Sequence, residues 1–398
     1  MQDPDLTLYV EINDINFTFF VGGIDKQNKF EILDKLNFPL VGFEDKRVTD
    51  LEKVYSTIKE NIYLIEQKFN RTFKDVVIIL DNFDISFLNL TGSKKLNGSQ
   101  IVKENIIYIL NTMKLCVKEI EMDKTILHIF NSNYNLDNKK IVNLPIGLFG
   151  NFYSHELSFV LINSNDYKNL KNIFDKCNIR IKKILLKSFL NGANIINNNK
   201  DIGTFFHVEI KKNISKIFYF ENNSIKSEQN FNFGLDIVIK DISKVTSLST
   251  NFIEKILNEV EFKENMSEDN FLDKKFFGNE NFIKIKKKLI YDIIEARIKE
   301  ISELMIFKNI NYLHYNKSVK KIFLNINDEI LPINLKDIYI NIFSQSGKFE
   351  VFLIDDSYKD SFLNSANRLV HFGWKKEAIP TTGVPKSLIA RFFKAIFE

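Results

Sequence analysis

Apolar and polar residues alternate along Leu6–Phe20, which predicts a strand, and Gly22-Gly23 predicts the turn into a second strand over Lys29–Leu33. The period then lengthens. Leu51, Val54, Ile58, Ile62 and Ile65 recur at helical spacing within Asp50–Phe69, and Thr49 or Asp50 is placed to cap that helix. The apolar run in Asp75–Leu80 predicts a short buried strand. From Asn82 to Leu161 the pattern changes to strands, among them Thr125–Phe130 and Glu156–Ile162, around one helix at Ser99–Met113; it reads as an inserted α+β unit. A helix over Tyr167–Cys177, a strand over Ile181–Leu186 and a helix over Ser188–Asn197 follow. The polar run Asn197–Lys200 then marks a lobe boundary.

The second half repeats the opening theme. Gly203–Ile210, Ile214–Glu221 and Ser224–Asn232 read as consecutive hairpin strands, and a helix starts near Leu235. A meander leading into a helix at the start of both halves predicts two related lobes. Helices are expected over Asn251–Val260 and Phe282–Phe307, separated by a charged, irregular stretch. Strands at Lys320–Asn325 and Glu350–Ile354 and a helix at Ser361–Phe372 complete the body. The stretch Trp374–Lys386 holds Pro380, Gly383 and Pro385 and reads as a linker. Ser387–Glu398 is a separate amphipathic helix: at about 100° per residue, Leu388, Ile389, Phe392, Phe393, Ile396 and Phe397 fall on one half, with Ser387, Arg391, Lys394 and Glu398 opposite.

Composition narrows the function classes. At 398 residues the chain exceeds what one hydrophobic core serves well, in keeping with two lobes. Its 44% apolar and 27% charged residues exclude disorder as the overall state. The 55 basic and 51 acidic side chains leave a net charge of +4, too small and too dispersed for a nucleic-acid binder but compatible with an anionic membrane surface. Cys116 and Cys177 lie far apart, and the five histidines, His128, His155, His207, His314 and His371, show no ligand spacing. With no CxxC, GxSxG or Walker A pattern, no metal site and no catalytic residue is expected. No apolar run approaches the roughly 20 residues of a transmembrane helix. The opening MQDPDLTLYVEI lacks the basic and apolar regions of a secretory leader. Membrane contact is therefore expected to be peripheral, from the cytoplasmic side.

Five local features carry more. Arg47-Val48-Thr49-Asp50-Leu51 leads into the first helix, and Thr125-Ile126-Leu127-His128 is followed by Tyr134 and Asp137. Gly234 and Asp241-Ile242 follow the second meander, Glu295-Ala296-Arg297-Ile298-Lys299-Glu300-Ile301 lies on the long helix, and the amphipathic segment closes the chain. In this order and spacing they resemble the FtsA family of bacterial cell-division actins, over essentially the whole chain. The resemblance implies an α/β, actin-like (ribonuclease H-like) fold of two lobes with an inserted α+β subdomain and a C-terminal amphipathic helix. The boundaries would be 1–81 and 163–197 for the first lobe and 82–162 for the insert. The second lobe would cover 198–373 with a helical part at about 246–308, followed by the linker 374–386 and the membrane helix 387–398.

The resemblance also implies a pocket for ATP with magnesium, built on two glycine-containing hairpins whose backbone amides approach the phosphates. Here the motifs depart from the family. The first hairpin has Glu11 for the family's Asp and Asn13 for its Gly; the second has Glu209 for Asp, with Lys211 and Lys212 in place of glycines. The adenosine-binding glycines are replaced by Asn325-Ile326-Asn327-Asp328-Glu329. Glu11 and Glu209 could keep a metal-linked acid and the lysines could neutralise phosphates, or the pocket has decayed; ATP hydrolysis is not expected.

Arg297 and Glu300 share one helix face. In the family such a pair helps to hold the acidic FtsZ C-terminal tail, and Lys284, Lys286, Lys287 and Lys288 could steer it; an ordinary intrahelical ion pair has the same spacing. The resemblance further implies self-association into filaments, divisome contacts through the insert, and attachment to anionic membrane at the septum. An actin-like scaffold of another envelope machine, such as type IV pilus assembly, is the alternative, and an actin-like ATPase is a further one.

Overall fold

A computed structural model describes residues 6–24, 29–81, 83–199, 201–262, 267, 269–277, 282–315, 318–326, 333–345, 347–354 and 360–380. These fall into two compact units, the first built from residues up to 201, 222–226 and those from 360 on, the second from 202–221 and 227–359.

The first unit opens with β1 (Thr7–Ile12), β2 (Asn16–Ile24), β3 (Phe30–Pro39) and the two-residue strands β4 (Phe43–Glu44) and β5 (Arg47–Val48), then α1 (Leu51–Phe69) and β6 (Asp75–Leu80). Asp50 caps α1 by accepting from the Lys53 backbone amide, and Val54, Ile58, Ile62 and Ile65 form its buried stripe. The inserted part is β7 (Ile85–Lys95), α2 (Lys103–Ile120), β8 (Lys124–Leu136), β9 (Lys139–Ile141) and β10 (Phe152–Asn163). Then come α3 (Ser164–Lys176), β11 (Arg180–Leu186) and α4 (Lys187–Asn198).

The main sheet runs β11-β6-β1-β2-β3, with β11, β6 and β1 parallel and β1, β2 and β3 antiparallel. Every residue of β1 is buried, as a central strand covered on both faces requires. The first turn is not at Gly22-Gly23 but at Asn13–Ile15, and both glycines lie inside β2. A Cβ on Gly22 would stand 2.4 Å from the Phe30 ring, so this glycine serves close packing. The insert has its own core, with Ile106, Ile109, Leu110 and Val117 of α2 against Leu157, Phe159 and Leu161 of β10.

The second unit holds β12 (Phe205–Ile210), β13 (Ser215–Glu221), β14 (Ser224–Phe231) from its fourth residue on, α5 (Asp236–Thr246), α6 (Thr250–Glu259), α7 (Lys287–Ser302), β15 (Lys321–Ile326), α8 (Ile333–Ser344) and β16 (Glu350–Ile354). Its sheet, β16-β15-β12-β13-β14, repeats the first unit's order strand for strand, again with a parallel pair of neighbours beside the hairpin. The duplication expected from the two meanders is present. The long helix starts later than Phe282, and its last turn, Glu303–Phe307, widens to a π-helix. Helix α8 had not been anticipated, although Leu335, Ile338, Tyr339 and Phe343, all buried, form a helical stripe.

Two closing elements depart from the expected boundaries. Helix α9 (Phe362–Phe372), placed by sequence in the second lobe, belongs to the first unit. There Tyr9 Oη donates to Asn367 Oδ1 at 3.2 Å, Asn194 Nδ2 donates to Ser361 Oγ at 2.8 Å, and Phe362 meets Phe20 edge-on at 6.0 Å. The stretch read as a linker, 374–386, begins with a buried Trp374 and strand β17 (Glu377–Pro380), which pairs antiparallel with β8. Residues 381–398, including the terminal helix, lie outside the described residues.

Glu377 explains why β17 stays on that edge. It is 1% exposed, and its two oxygens accept from His128 Nδ1 on β8 at 3.0 Å and from Lys183 Nζ on β11 at 2.8 Å. Burial alone would push its carboxyl up, but the Lys183 ammonium and the His128 hydrogen bond outweigh burial and hold it at about 2, against an ordinary 4.5. Glu377→Ala, which leaves Lys183 buried without its counter-charge, should lower unfolding stability by about 3–5 kcal/mol, read from urea denaturation at neutral pH. The carboxylate is ionised more readily in the folded chain than in the unfolded one. Its contribution is therefore full above the unfolded value of 4.5 and disappears as pH falls through about 2. Between these limits the wild type should lose stability more steeply than Glu377→Gln when the two urea midpoints are followed against pH.

Candidate functional site

At the first hairpin, the carboxyl ends of parallel strands β1, β6 and β11 converge, the position where open α/β sheets receive ligands. Glu11, near the end of β1, is 4% exposed. Its Oε1 accepts from Lys187 Nζ at 2.6 Å, and the same ammonium reaches Asp81 Oδ2 at 3.3 Å. Lys187 is the first residue of α4, carried there by β11; Asp81 follows β6, and its amide donates to the Ile12 carbonyl at 3.0 Å. In the turn, the Asn13 side-chain oxygen accepts from the amides of Ile15 and Asn16 at 2.9 and 2.8 Å, while the Asn13 amide donates to the Asn16 carbonyl at 3.1 Å. The residues present do not fit a magnesium nucleotide here: a phosphate taking those amides would have to displace Asn13, and a divalent cation on Glu11 would have to displace Lys187.

The second hairpin is closed differently. The Lys211 amide donates to the Ile214 carbonyl at 2.9 Å, and the carbonyls of Lys211 and Lys212 accept from the amides of Leu235 and Asp236 at 3.1 and 2.9 Å. Those are amides at the start of α5, a group that helices otherwise leave for caps or anions. The approach requires Gly234, where a Cβ would stand 2.1 Å from the Lys211 carbonyl oxygen. Glu209 is buried on β12 with its carboxylate 3.7 Å from His207 Nε2. Burial lowers the pKa of wholly buried His207, partly offset by Glu209. Of the third motif, Asn325 and Ile326 end β15, and Asn327-Asp328-Glu329 lie outside the described residues.

The histidines gather into no metal site, and among the described residues no group of three potential ligands occurs. His155 sits in the core 4.9 Å from the Tyr134 ring, and burial pushes its pKa down to about 3.

On α7 the anticipated pair is formed. Arg297 Nη1 donates to Glu300 Oε2 at 2.6 Å, and Arg297 Nε also donates to the Asp241 carboxylate on α5. The Arg297 side chain is 24% exposed and that of Glu300 53%, so the outer edge of the pair faces solvent while the guanidinium is shared between helices. Parts of the basic run are engaged locally: Lys284 lies over the Phe271 ring at 4.2 Å and Lys288 pairs with Asp292 at 3.0 Å. A groove of about 470 Å³, not foreseen from the sequence, lies between α7 and α8 and is lined by Tyr291, Glu295, Lys299, Phe307, Ile338 and Ile342. Glu295 and Arg297 are two residues apart, about 200° around the helix, so Arg297 points away from the groove, whereas Glu300 lies one turn from Glu303, which lines it. The membrane-facing candidates Leu388, Ile389, Arg391, Phe392, Phe393, Lys394, Ile396 and Phe397 lie outside the described residues.

Known proteins place this architecture. A family model described as the SHS2 domain inserted in FTSA matches residues 84–160, the stretch that folds as β7 to β10 with α2. Cell division protein FtsA of Buchnera aphidicola subsp. Schizaphis graminum is 23% identical over 325 residues, which are 80% of this chain and 76% of that one. Its counterpart in Neisseria meningitidis serogroup B is 21% identical over 299 residues, 74% of this chain and 72% of that one. A solved structure titled PilM-PilN type IV pilus biogenesis complex is similar with a TM-score of 0.52 at 9% identity, covering 98% of both chains, a likeness of fold alone. No helix among the described residues is long and apolar enough to cross a membrane. With an actin-like fold of paired sheets, an inserted SHS2-type subdomain and similarity to FtsA cell-division proteins along most of its length, the chain fits a divergent relative of the FtsA cell-division proteins.

Proposed function

We propose that the chain is an adaptor of the division septum that holds the FtsZ C-terminal tail on its second unit, binds the inner face of the cytoplasmic membrane through 387–398, and works without ATP hydrolysis. The observation that supports this most is the insert at 84–160 within an actin-like chain, because that subdomain is described by its place in this family. On the same reading the insert makes the divisome contacts and the body self-associates into filaments; a nucleic acid is not a partner. A pilus-type scaffold would share the fold but has no use for the FtsZ tail, which makes that tail the discriminating ligand.

Tail binding is assigned to the solvent-facing edge of Arg297 and Glu300 on α7. Arg297→Gln keeps a donor for Asp241 but removes the charge, and should weaken binding of a synthetic FtsZ tail by about 1.5–3 kcal/mol in a calorimetric titration. Lys299→Glu, in the groove and about 200° around the helix from Arg297, should leave the affinity unchanged. The reverse pattern, in variants with wild-type melting curves, would move the tail to the groove.

Membrane binding is assigned to the terminal segment. Each large apolar side chain there contributes at most ~1.5–3 kcal/mol when fully buried, and Arg391 and Lys394 add about 1 kcal/mol each near anionic lipid. One copy therefore binds reversibly, and several copies in a filament hold firmly. In co-sedimentation with anionic liposomes the full chain should pellet, whereas the chain truncated after Pro385 and the Phe392→Glu variant should stay in the supernatant. Equal pelleting of the truncated chain would remove the segment from the membrane site.

A further inference from the structure

We infer that Lys187 is the resident cation of the first hairpin, an ammonium built into the chain where an actin-like relative would use a soluble metal ion. The inference rests on the actin-like reading of that hairpin, and is independent of the FtsZ and membrane assignments. Glu11 and Asp81 sit at the ends of adjacent parallel strands β1 and β6, and their side chains are only 5% and 11% exposed. Two carboxylates brought this close to one another and away from water repel and lose hydration, so the fold requires positive charge between them. Lys187 Nζ supplies it, 2.6 Å from Glu11 and 3.3 Å from Asp81, and also lies over the Phe362 ring of α9 at 5.1 Å.

The ammonium is a compact point charge with three donors, and it is delivered from the first residue of a helix rather than drawn from solution. Its local concentration is set by the chain and not by the medium. The neighbouring turn follows the same logic on the anion side. There Asn13 Oδ1 takes the amides of Ile15 and Asn16 that a phosphate oxygen would take in a glycine hairpin. The strand ends β1, β6 and β11 are thereby held in register, with α9 packed over them, when no ligand is bound.

The test follows the melting of full-length protein in EDTA, in magnesium or manganese chloride, and in magnesium with ATP. Wild type should melt at one temperature in all of these to within about 1 °C, and calorimetric titration of magnesium ATP should show no binding. A nucleotide bound at a hundred times its dissociation constant would instead raise the melting point by several degrees. Lys187→Ala leaves the two carboxylates facing one another, and should melt roughly 5 °C or more below wild type in EDTA. Millimolar manganese or magnesium should recover at least about half of that loss, since a divalent ion can now enter. A purely structural lysine predicts the same loss with no recovery, and that result overturns the inference. So does magnesium ATP binding by wild type, which is measurable even if Lys187→Ala fails to fold. The double variant Glu11→Gln with Lys187→Met removes a charge of each sign and should be indifferent to metal; metal-dependent melting there would place the ion elsewhere and also overturn it.

Discussion

Buried carboxylates that must meet positive charge organise the first unit. Three of them find it on one short stretch of chain. Lys183, inside β11, faces Glu377 on β17, and Lys187, at the start of α4, faces Glu11 on β1 and Asp81 after β6. The corner where β11 turns into α4 therefore joins three parallel strand ends on one side and the edge of the inserted sheet on the other. Removing one partner of such a pair leaves the other charge stranded in low dielectric, a penalty larger than the net worth of the intact pair. The arrangement is thus a constraint on which elements can be neighbours more than a reservoir of stability.

The second unit repeats the sheet and solves the corresponding corner with backbone. Its hairpin carbonyls cap α5 through the close approach at Gly234, and Asp241 on α5 is tied to Arg297 on α7. The two units thus share a strand order while closing the corresponding turns with different chemistry, an asparagine and a lysine in one and a helix start approached at a glycine in the other. Strand order can be shared while turn chemistry differs, because the order depends on buried apolar surface and ladder hydrogen bonds rather than on the turn residues.

Much of this was legible in the sequence, where the information was local. The stripe of α1 with its Asp50 cap, the run of β6, the repeated meander and the limits of the insert each follow from periodicity within a short window. Gly22-Gly23 was misread as a turn because a glycine required by the Phe30 ring is indistinguishable in sequence from one required by positive φ. The places of α9 and β17 were not legible, since Tyr9 with Asn367 and Lys183 with Glu377 are partners 358 and 194 residues apart. Lys187 carried no signal for the same reason, in a chain so rich in lysine. Arg297 and Glu300 were visible as a pair, but the third partner, Asp241, lies on another helix and decides how much of the guanidinium is left for a ligand.

Strand β17 is the last described element before the segment assigned to the membrane. Tension on the chain beyond Pro380 would meet an antiparallel ladder to β8 and, through Glu377, an ionic cross-link to β11. A load entering at one strand is thereby divided between the inserted sheet and the main sheet of the first unit. A buried ionic contact at Glu377 thus stands directly upstream of that segment, so a pull transmitted along the chain would be shared between two sheets and not borne by one strand alone.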